Sequence, residues 1–339
     1  MIQSKNNKTI IIAEVGQSHD GSLGLAHSLI DAVYKTGADC IKFQTHIAEA
    51  ETTIHEPWRV KFSFQDKTRY DYWKRMEFSE QQWIEIKDHA HELGLKFISS
   101  PFSLRAVELL KRVGVYGWKI ASGEANNVEI MKSISETNNE VFLSTGMSSI
   151  NEIDLSVKKI KDFGLPLTIL QCTSIYPTPP EKIGLNMINY LRNRYECNVG
   201  LSDHSGKLYT GLAAASIGIE VLEVHVTFSK EMFGPDVSSS ISIDELKLLV
   251  EGVRFIENIL EHEVDKDAIA EELKPMRKIF RKSVVYLKDM KEGTIIKRQD
   301  ICFKKPGTGV KPEDLNNVLG RELRRSVSAD SLLSLDDLN

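Results

Sequence analysis

Between residue 9 and about residue 260, short β-branched or apolar runs alternate with stretches of helical period, and the number of repeats of that alternation decides what the chain can become. The runs fall at 9–15, 40–44, 96–99, 117–120, 141–144, 167–171, 198–201 and 221–226, which makes eight. Between them, segments such as 24–36 and 79–93 set apolar residues at i, i+3, i+4 and i+7, and Gly37 or Gly94 follows as a stop. Ser79, with Gln82 three residues on, has the form of a capping box. Eight strand–helix pairs in roughly 250 residues predict an α/β chain folded as a (β/α)8 TIM barrel, in which the working groups gather at the C-terminal ends of the strands. A doubly wound open sheet shares the alternation, but no GxGxxG follows the first run.

A chain of 339 residues exceeds what one core usually holds, so a second, small domain is expected. The stretch 261–275 is strongly charged with few large apolar residues and reads as a solvated helix and linker. Beyond it, SVVYL, GTIIK and ICFKKPGTG read as short strands and PEDLNNVLG as a helical segment. The long connection 46–76, rich in aromatic and charged residues, reads as a lid or substrate wall.

Net charge excludes one class of partner. A balance of -5 provides no basic field for nucleic acid, so any bound anion must be held locally. Near the N-terminus the longest apolar run is 10–13, far short of a signal sequence or a membrane span, and a cytoplasmic location is expected. Cys40, Cys172, Cys197 and Cys302 lie far apart without CxxC spacing, as buried thiols in a reducing compartment would.

The polar residues at or just past the strand ends are Glu14, Lys42, Gln44, Ser100, Lys119, Ser122, Glu124, Ser144, Thr145, Ser174, Ser202, Asp203, His204 and His225. Lys42 and Lys119 each sit inside an otherwise apolar strand, where a charge is costly unless it meets an anion. A structural pair with Glu14 or Glu124 is the plainer reading of either lysine alone. Two at equivalent strand positions, with hydroxyls from Ser144 and Ser202 nearby, point instead to a pocket for a phosphate and a carboxylate. His204 and His225 end neighbouring strands. Two imidazoles are too few for a closed zinc site, but beside Asp203 and Asp236 they suit a divalent metal with open positions. The remaining histidines read mostly as surface residues, His46 among them, except His19 just after the first strand.

The segments EVGQSHDGS, IKFQTH, FISSPFS, KIASGEANN, LSTGMSS, LQCTSIYPTP, GLSDHS, VHVTF, GPDVSSS and FKKPGTG, in this order and spacing, resemble the N-acetylneuraminate (sialic acid) synthase family over almost the whole chain. The resemblance implies a catalytic barrel at 1–262, a linker at 263–280 and an antifreeze-like (SAF, β-clip) capping domain at 281–339. It implies a phosphoenolpyruvate pocket at Lys42, Gln44, Ser100, Lys119, Ser122, Ser144, Ser174 and Ser202. Metal ligands are implied at His204 and His225, for Mn2+ or Mg2+ with Co2+ as an alternative. Glu14, Tyr176 and Asp236 correspond to acylamino-sugar or metal-side positions, and Glu124 to a carboxylate that activates water. The implied reaction joins phosphoenolpyruvate to N-acetylmannosamine or a 2,4-diacetamido-trideoxyhexose, in a homodimer whose C-terminal domain reaches the partner barrel. There Lys305 stands where relatives carry an Arg for the N-acyl group. Ser18, Ser100, Gln171 and Ser174 are further departures. Two rival readings stand beside this one: a pyruvate aldolase with Lys42 or Lys119 as Schiff base, and a non-catalytic sugar-binding protein.

Overall fold

A computed structural model describes residues 8–339, so residues 1–7 of the expected barrel domain lie outside the described residues. The chain divides into two compact units, one ending at His262 and the other spanning Glu263–Asn339. In the first, β1 (Ile10–Gly16), β2 (Cys40–Thr45), β3 (Lys96–Pro101), β4 (Gly117–Ile120), β5 (Glu140–Ser144), β6 (Leu167–Cys172), β7 (Asn198–Asp203) and β8 (Val221–Thr227) pair in sequence order, all parallel. β1 also pairs with β8, which closes the barrel. β1, β2, β3, β6, β7 and β8 each run one or two residues further than their apolar runs do. Ladder hydrogen bonds use backbone groups alone, so strand pairing continues through the polar residues that carry the site.

The interior follows from the two-residue period. Ile12, Cys40, Ile98, Phe142, Leu170 and Val221, from six strands, form an apolar plug of buried side chains. β4 and β7 contribute glycines at this level. A Cβ on Gly117 would stand 2.8 Å from the Phe142 ring, and one on Gly200 would meet the Val221 carbonyl at 2.2 Å, so these absent side chains give the large ones their room. Two residues further along each strand stand Glu14, Lys42, Ser100, Lys119, Ser144, Cys172, Ser202 and Glu223. The apolar plug thus becomes the floor of a polar mouth. Outside the strands the main core packs them against amphipathic helices such as Glu80–Glu92, whose Ser79 and Gln82 form the expected capping box, and Leu104–Val113.

The connection 46–76 contains helices Ala48–Glu51 and Arg69–Met76 and has its own small cluster, in which Trp58, Phe62 and Tyr70 pack on Ala48, Tyr72, Trp73 and Met76. In the second unit, β-strands Ser283–Tyr286 and Ile301–Lys304 pair antiparallel over a core that includes Val284, Tyr286, Ile301 and Leu333. GTIIK, expected as a strand, makes only an isolated bridge from Ile295 to Glu322, and the helical segment near 312 is a 3-10 turn, Pro312–Asn317. Residues expected as a linker form two short helices, Lys266–Glu272 and Lys274–Phe280, grouped with this unit. None of the described helices is long and apolar enough to cross a membrane.

Candidate active site

A cavity of about 410 Å3 opens above the polar layer. At its floor, Lys119 Nζ donates to Glu223 Oε1 at 2.7 Å, Ser202 Oγ donates to the same oxygen at 2.9 Å, and Lys42 Nζ lies 3.7 Å from it. Lys42 also pairs with Glu14 and donates to Ser100 Oγ at 3.3 Å. All four charged groups are buried. Burial pushes the Glu223 carboxyl up, but the Lys119 and Lys42 ammoniums beside it hold it well below the usual range. Burial, aided by the charge of Lys42, takes Lys119 below an ordinary lysine despite Glu223, whereas two carboxylates raise Lys42 against burial. The two acids therefore hold the two lysines in place in a buried floor. Glu223 is the residue that sequence reasoning missed. Its signal was available: a charge inside an apolar strand, two residues before His225 and so on the same face.

Around this floor stand acceptors and donors without full partners. Ser144 Oγ, which can donate, and Glu223 Oε2, which can only accept, are buried with no partner among the described residues. Gly146 N donates to Ser122 Oγ at 3.0 Å, and a Cβ on Gly146 would stand 2.4 Å from Ser174 Oγ and 2.9 Å from Ser122 Oγ. Only glycine lets the backbone come this close to both hydroxyls. Glu124 lines the cavity and accepts from Asn127 Nδ2 at 2.7 Å.

His204 and His225 present their rings to the cavity with centroids 5.0 Å apart. Burial and the neighbouring His225 push His204 well below an ordinary imidazole, which keeps it in the neutral form that binds metals. Tyr176 Oη lies 3.0 Å from His204 Nε2, and the Asp236 carboxylate 3.9 Å from His225 Nδ1. Gly16, at φ +51°, leaves a space whose Cβ would meet Glu14 Oε1 at 3.3 Å and His225 Nδ1 at 3.4 Å. No cluster of three or more His, Cys, Asp or Glu able to hold a metal occurs among the described residues. His204 and His225 are the two imidazoles the chain offers here, so a cation held by them would need its other ligands from outside the chain.

Not every expected position reaches the cavity wall. Glu14 is fully buried and is not part of the cavity wall; it reaches the site through Lys42 and through Gln44, whose Nε2 donates to it at 2.9 Å. Asp203 is not part of the cavity wall and accepts from Ser205 N at 3.1 Å and Oγ at 2.7 Å. His19 packs against Phe78 and accepts from Gly21 N, outside the cavity wall. His46, expected at the surface, is buried in that wall between Trp73 and Phe102. Arg59, from the long connection, bonds Asp236 at 2.6 Å and lies 4.4 Å over the Tyr176 ring. No sequence pattern marked it, because only the folded connection brings it there. Lys305 belongs to the second unit, its ammonium 5.0 Å over the Phe280 ring.

The NeuB family model matches residues 29–265 of this sequence and the SAF domain model residues 281–339. The N,N'-diacetyllegionaminic acid synthase of Campylobacter jejuni is 32% identical, with 96% of this chain and 99% of that protein covered. The human N-acetylneuraminate-9-phosphate synthase is also 32% identical, over 95% of this chain and 90% of its own. Among solved structures, the N-acetylneuraminic acid synthetase of Leptospira borgpetersenii superposes with a TM-score of 0.70 at 29% identity, covering 82% of this chain and 95% of that one.

Proposed function

This chain belongs to the NeuB family, and from that premise we propose that it joins phosphoenolpyruvate to the open-chain aldehyde of an acylamino sugar, consuming water and releasing phosphate to form a sialic-type nonulosonic acid. The observation that carries the reading is the pair of buried lysines at the cavity floor, each already balanced by a carboxylate and surrounded by hydroxyls. A small polyanion that enters meets ammoniums already held in place, which it shares with Glu14 and Glu223.

In this reading Lys42 and Lys119 hold phosphoenolpyruvate by charge, while Gln44, Ser100, Ser122, Ser144, Ser174 and Ser202 orient its oxygens by hydrogen bonds. Tyr176 and Asp236 stand on the sugar's side of the cavity. A divalent cation, Mn2+ or Mg2+, held by His204 and His225 would supply Lewis acidity to the aldehyde oxygen. The C2–C3 π pair of phosphoenolpyruvate forms the new bond from C3 to the aldehyde carbon while the C=O π pair moves onto the aldehyde oxygen, which takes up a proton, and C2 is left electron-poor. Glu124 takes a proton from the water that adds at C2, and phosphate departs with cleavage of its C–O bond. The aromatic wall of Trp58, Trp73 and Phe102 suits the less hydroxylated 2,4-diacetamido-trideoxyhexose, with N-acetylmannosamine as the alternative. We carry two further elements in the same proposal: a cytoplasmic location, and a homodimer in which each SAF domain reaches the partner barrel so that Lys305 meets the sugar there.

One observation favours a second reading. Burial lowers Lys119, as a Schiff-base lysine requires, although its ion pair with Glu223 opposes the neutral amine. Parallel incubations of each sugar with phosphoenolpyruvate and with pyruvate, monitored by inorganic phosphate and product mass, separate the two. Phosphate and a nine-carbon acid are expected. Borohydride trapping of pyruvate on Lys119 or Lys42, without phosphate, would replace this function with an aldolase.

A further inference from the structure

Gln17, one residue beyond β1, is almost fully buried and yet forms part of the cavity wall. Its amide nitrogen donates to Gln44 Oε1 at 2.8 Å and lies 2.9 Å from His46 Nε2. Its Oε1 is buried without a partner among the described residues. Nothing in the reaction described above uses that oxygen.

The orientation of this amide is set from two ends. At one end Glu14, a carboxylate that can only accept, takes a hydrogen from Gln44 Nε2. That turns Gln44 Oε1 toward Gln17, and an oxygen there requires Gln17 to present its NH2 group. At the other end Glu51 Oε1 lies 2.8 Å from His46 Nδ1, so the ring proton is assigned to Nδ1 and Nε2 is left to accept from the same NH2 group. The longer 3.3 Å approach of Nε2 to Gln44 Oε1 is then a contact without a proton. His46 is held in this pose by stacking, 4.0 Å from Trp73 and 4.5 Å from Phe102 between ring centroids. Both amide hydrogens of Gln17 are engaged inside the wall, and its carbonyl oxygen remains as an acceptor only.

We propose that Gln17 is a specificity-determining residue that accepts a hydrogen bond from the acylamino sugar, with His46 and Glu51 as the positioning residues that fix its amide. The inference rests on the condensation proposed above, whose two substrates differ in the needed chemistry. Phosphoenolpyruvate as a trianion has oxygens but no N–H or O–H, and a carbonyl oxygen facing it would repel. The sugar carries hydroxyls and an amide N–H, either of which satisfies a buried acceptor.

The test is steady-state kinetics of phosphate release, with both substrates varied, on the full chain and on Gln17→Met, which keeps length and loses the acceptor. The KM for the sugar is expected to rise about ten-fold or more, and by clearly more than that for phosphoenolpyruvate, whose pocket Gln17 reaches only through Gln44. Glu51→Gln, which frees the His46 tautomer, is expected to raise the sugar KM in the native background and to add nothing to Gln17→Met. Equal effects on both substrates, or additive effects in the double variant, overturn the proposal. N-acetylmannosamine, its N-methylated amide and its deoxy analogues identify the donor: the analogue disfavoured by the native chain but not by Gln17→Met has lost it, and the absence of any such analogue also overturns the proposal. Gln17→Leu, with circular dichroism and the melting shift on adding phosphoenolpyruvate, guards against a folding defect. A native chain that releases no phosphate with any acylamino sugar overturns the function itself; native turnover with an unchanged sugar KM in both Gln17 variants overturns this inference alone.

Discussion

His19 should make the barrel acid-sensitive by an amount that follows from its surroundings. Its imidazole is buried against Phe78, and burial, followed by the neighbouring His46 and Arg75, pushes its pKa from 6.5 down to about 3. Below pH 6.5 the unfolded chain binds a proton that the folded chain refuses until about pH 3. The unfolded state therefore holds more protons across that window, and stability falls as pH falls through it. Each pH unit is worth about 1.4 kcal/mol, so at pH 4 the loss is about 3 kcal/mol, approaching about 5 kcal/mol where both states are protonated. That is a large share of a typical domain's stability. His19→Asn retains an acceptor for Gly21 N, loses ring packing at every pH equally, and removes the titration. Urea denaturation at pH 7 and pH 4 isolates the effect, followed by fluorescence because all four tryptophans, Trp58, Trp73, Trp83 and Trp118, lie in the barrel unit. The native chain should lose about 3 kcal/mol more than the variant between the two pH values. Equal losses would refute the argument, since they would mean that His19 accepts its proton in the folded barrel.

Glu223→Gln breaks a buried pair and should destabilise the barrel by about 3–5 kcal/mol; phosphoenolpyruvate returns the missing negative charge, so its addition should raise the melting temperature more in the variant than in the native chain, and an equal rise would place the anion elsewhere. Lys119→Ala should raise the KM for phosphoenolpyruvate and lower kcat together, whereas a purely structural lysine would change only the melting temperature. Chelation should abolish turnover and Mn2+ or Mg2+ restore it, with His225→Ala losing metal binding measured by calorimetry; full activity of rigorously metal-free protein would refute the two-histidine site. Mixing Lys305→Ala with His225→Ala subunits should recover activity if the SAF domain caps the partner barrel, and no recovery in demonstrated heterodimers would mean that it acts within its own chain.

Much of this protein was legible from local pattern. Strand and helix periods are set by backbone geometry and repeat every few residues, so the eight parallel strands and the capping box at Ser79 could be read directly. The charge rule found Lys42 and Lys119, because a cation in an apolar run is anomalous by itself. The same rule applied to β8 would have found Glu223. Three features depended on the tertiary structure, for a common reason. Glu14 supports Lys42 and Gln44 from outside the wall, His46 stands in the wall and not at the surface, and Arg59 of the long connection meets Asp236. Each of these roles depends on which distant groups surround the side chain, and neither spacing nor composition encodes that. The sequence alone determined which residues point into the barrel, since alternation along a strand is a local property. The closed sheet decided which of them line the cavity and which only hold a neighbour, because burial and hydrogen-bond direction exist only once strands far apart in sequence are brought together.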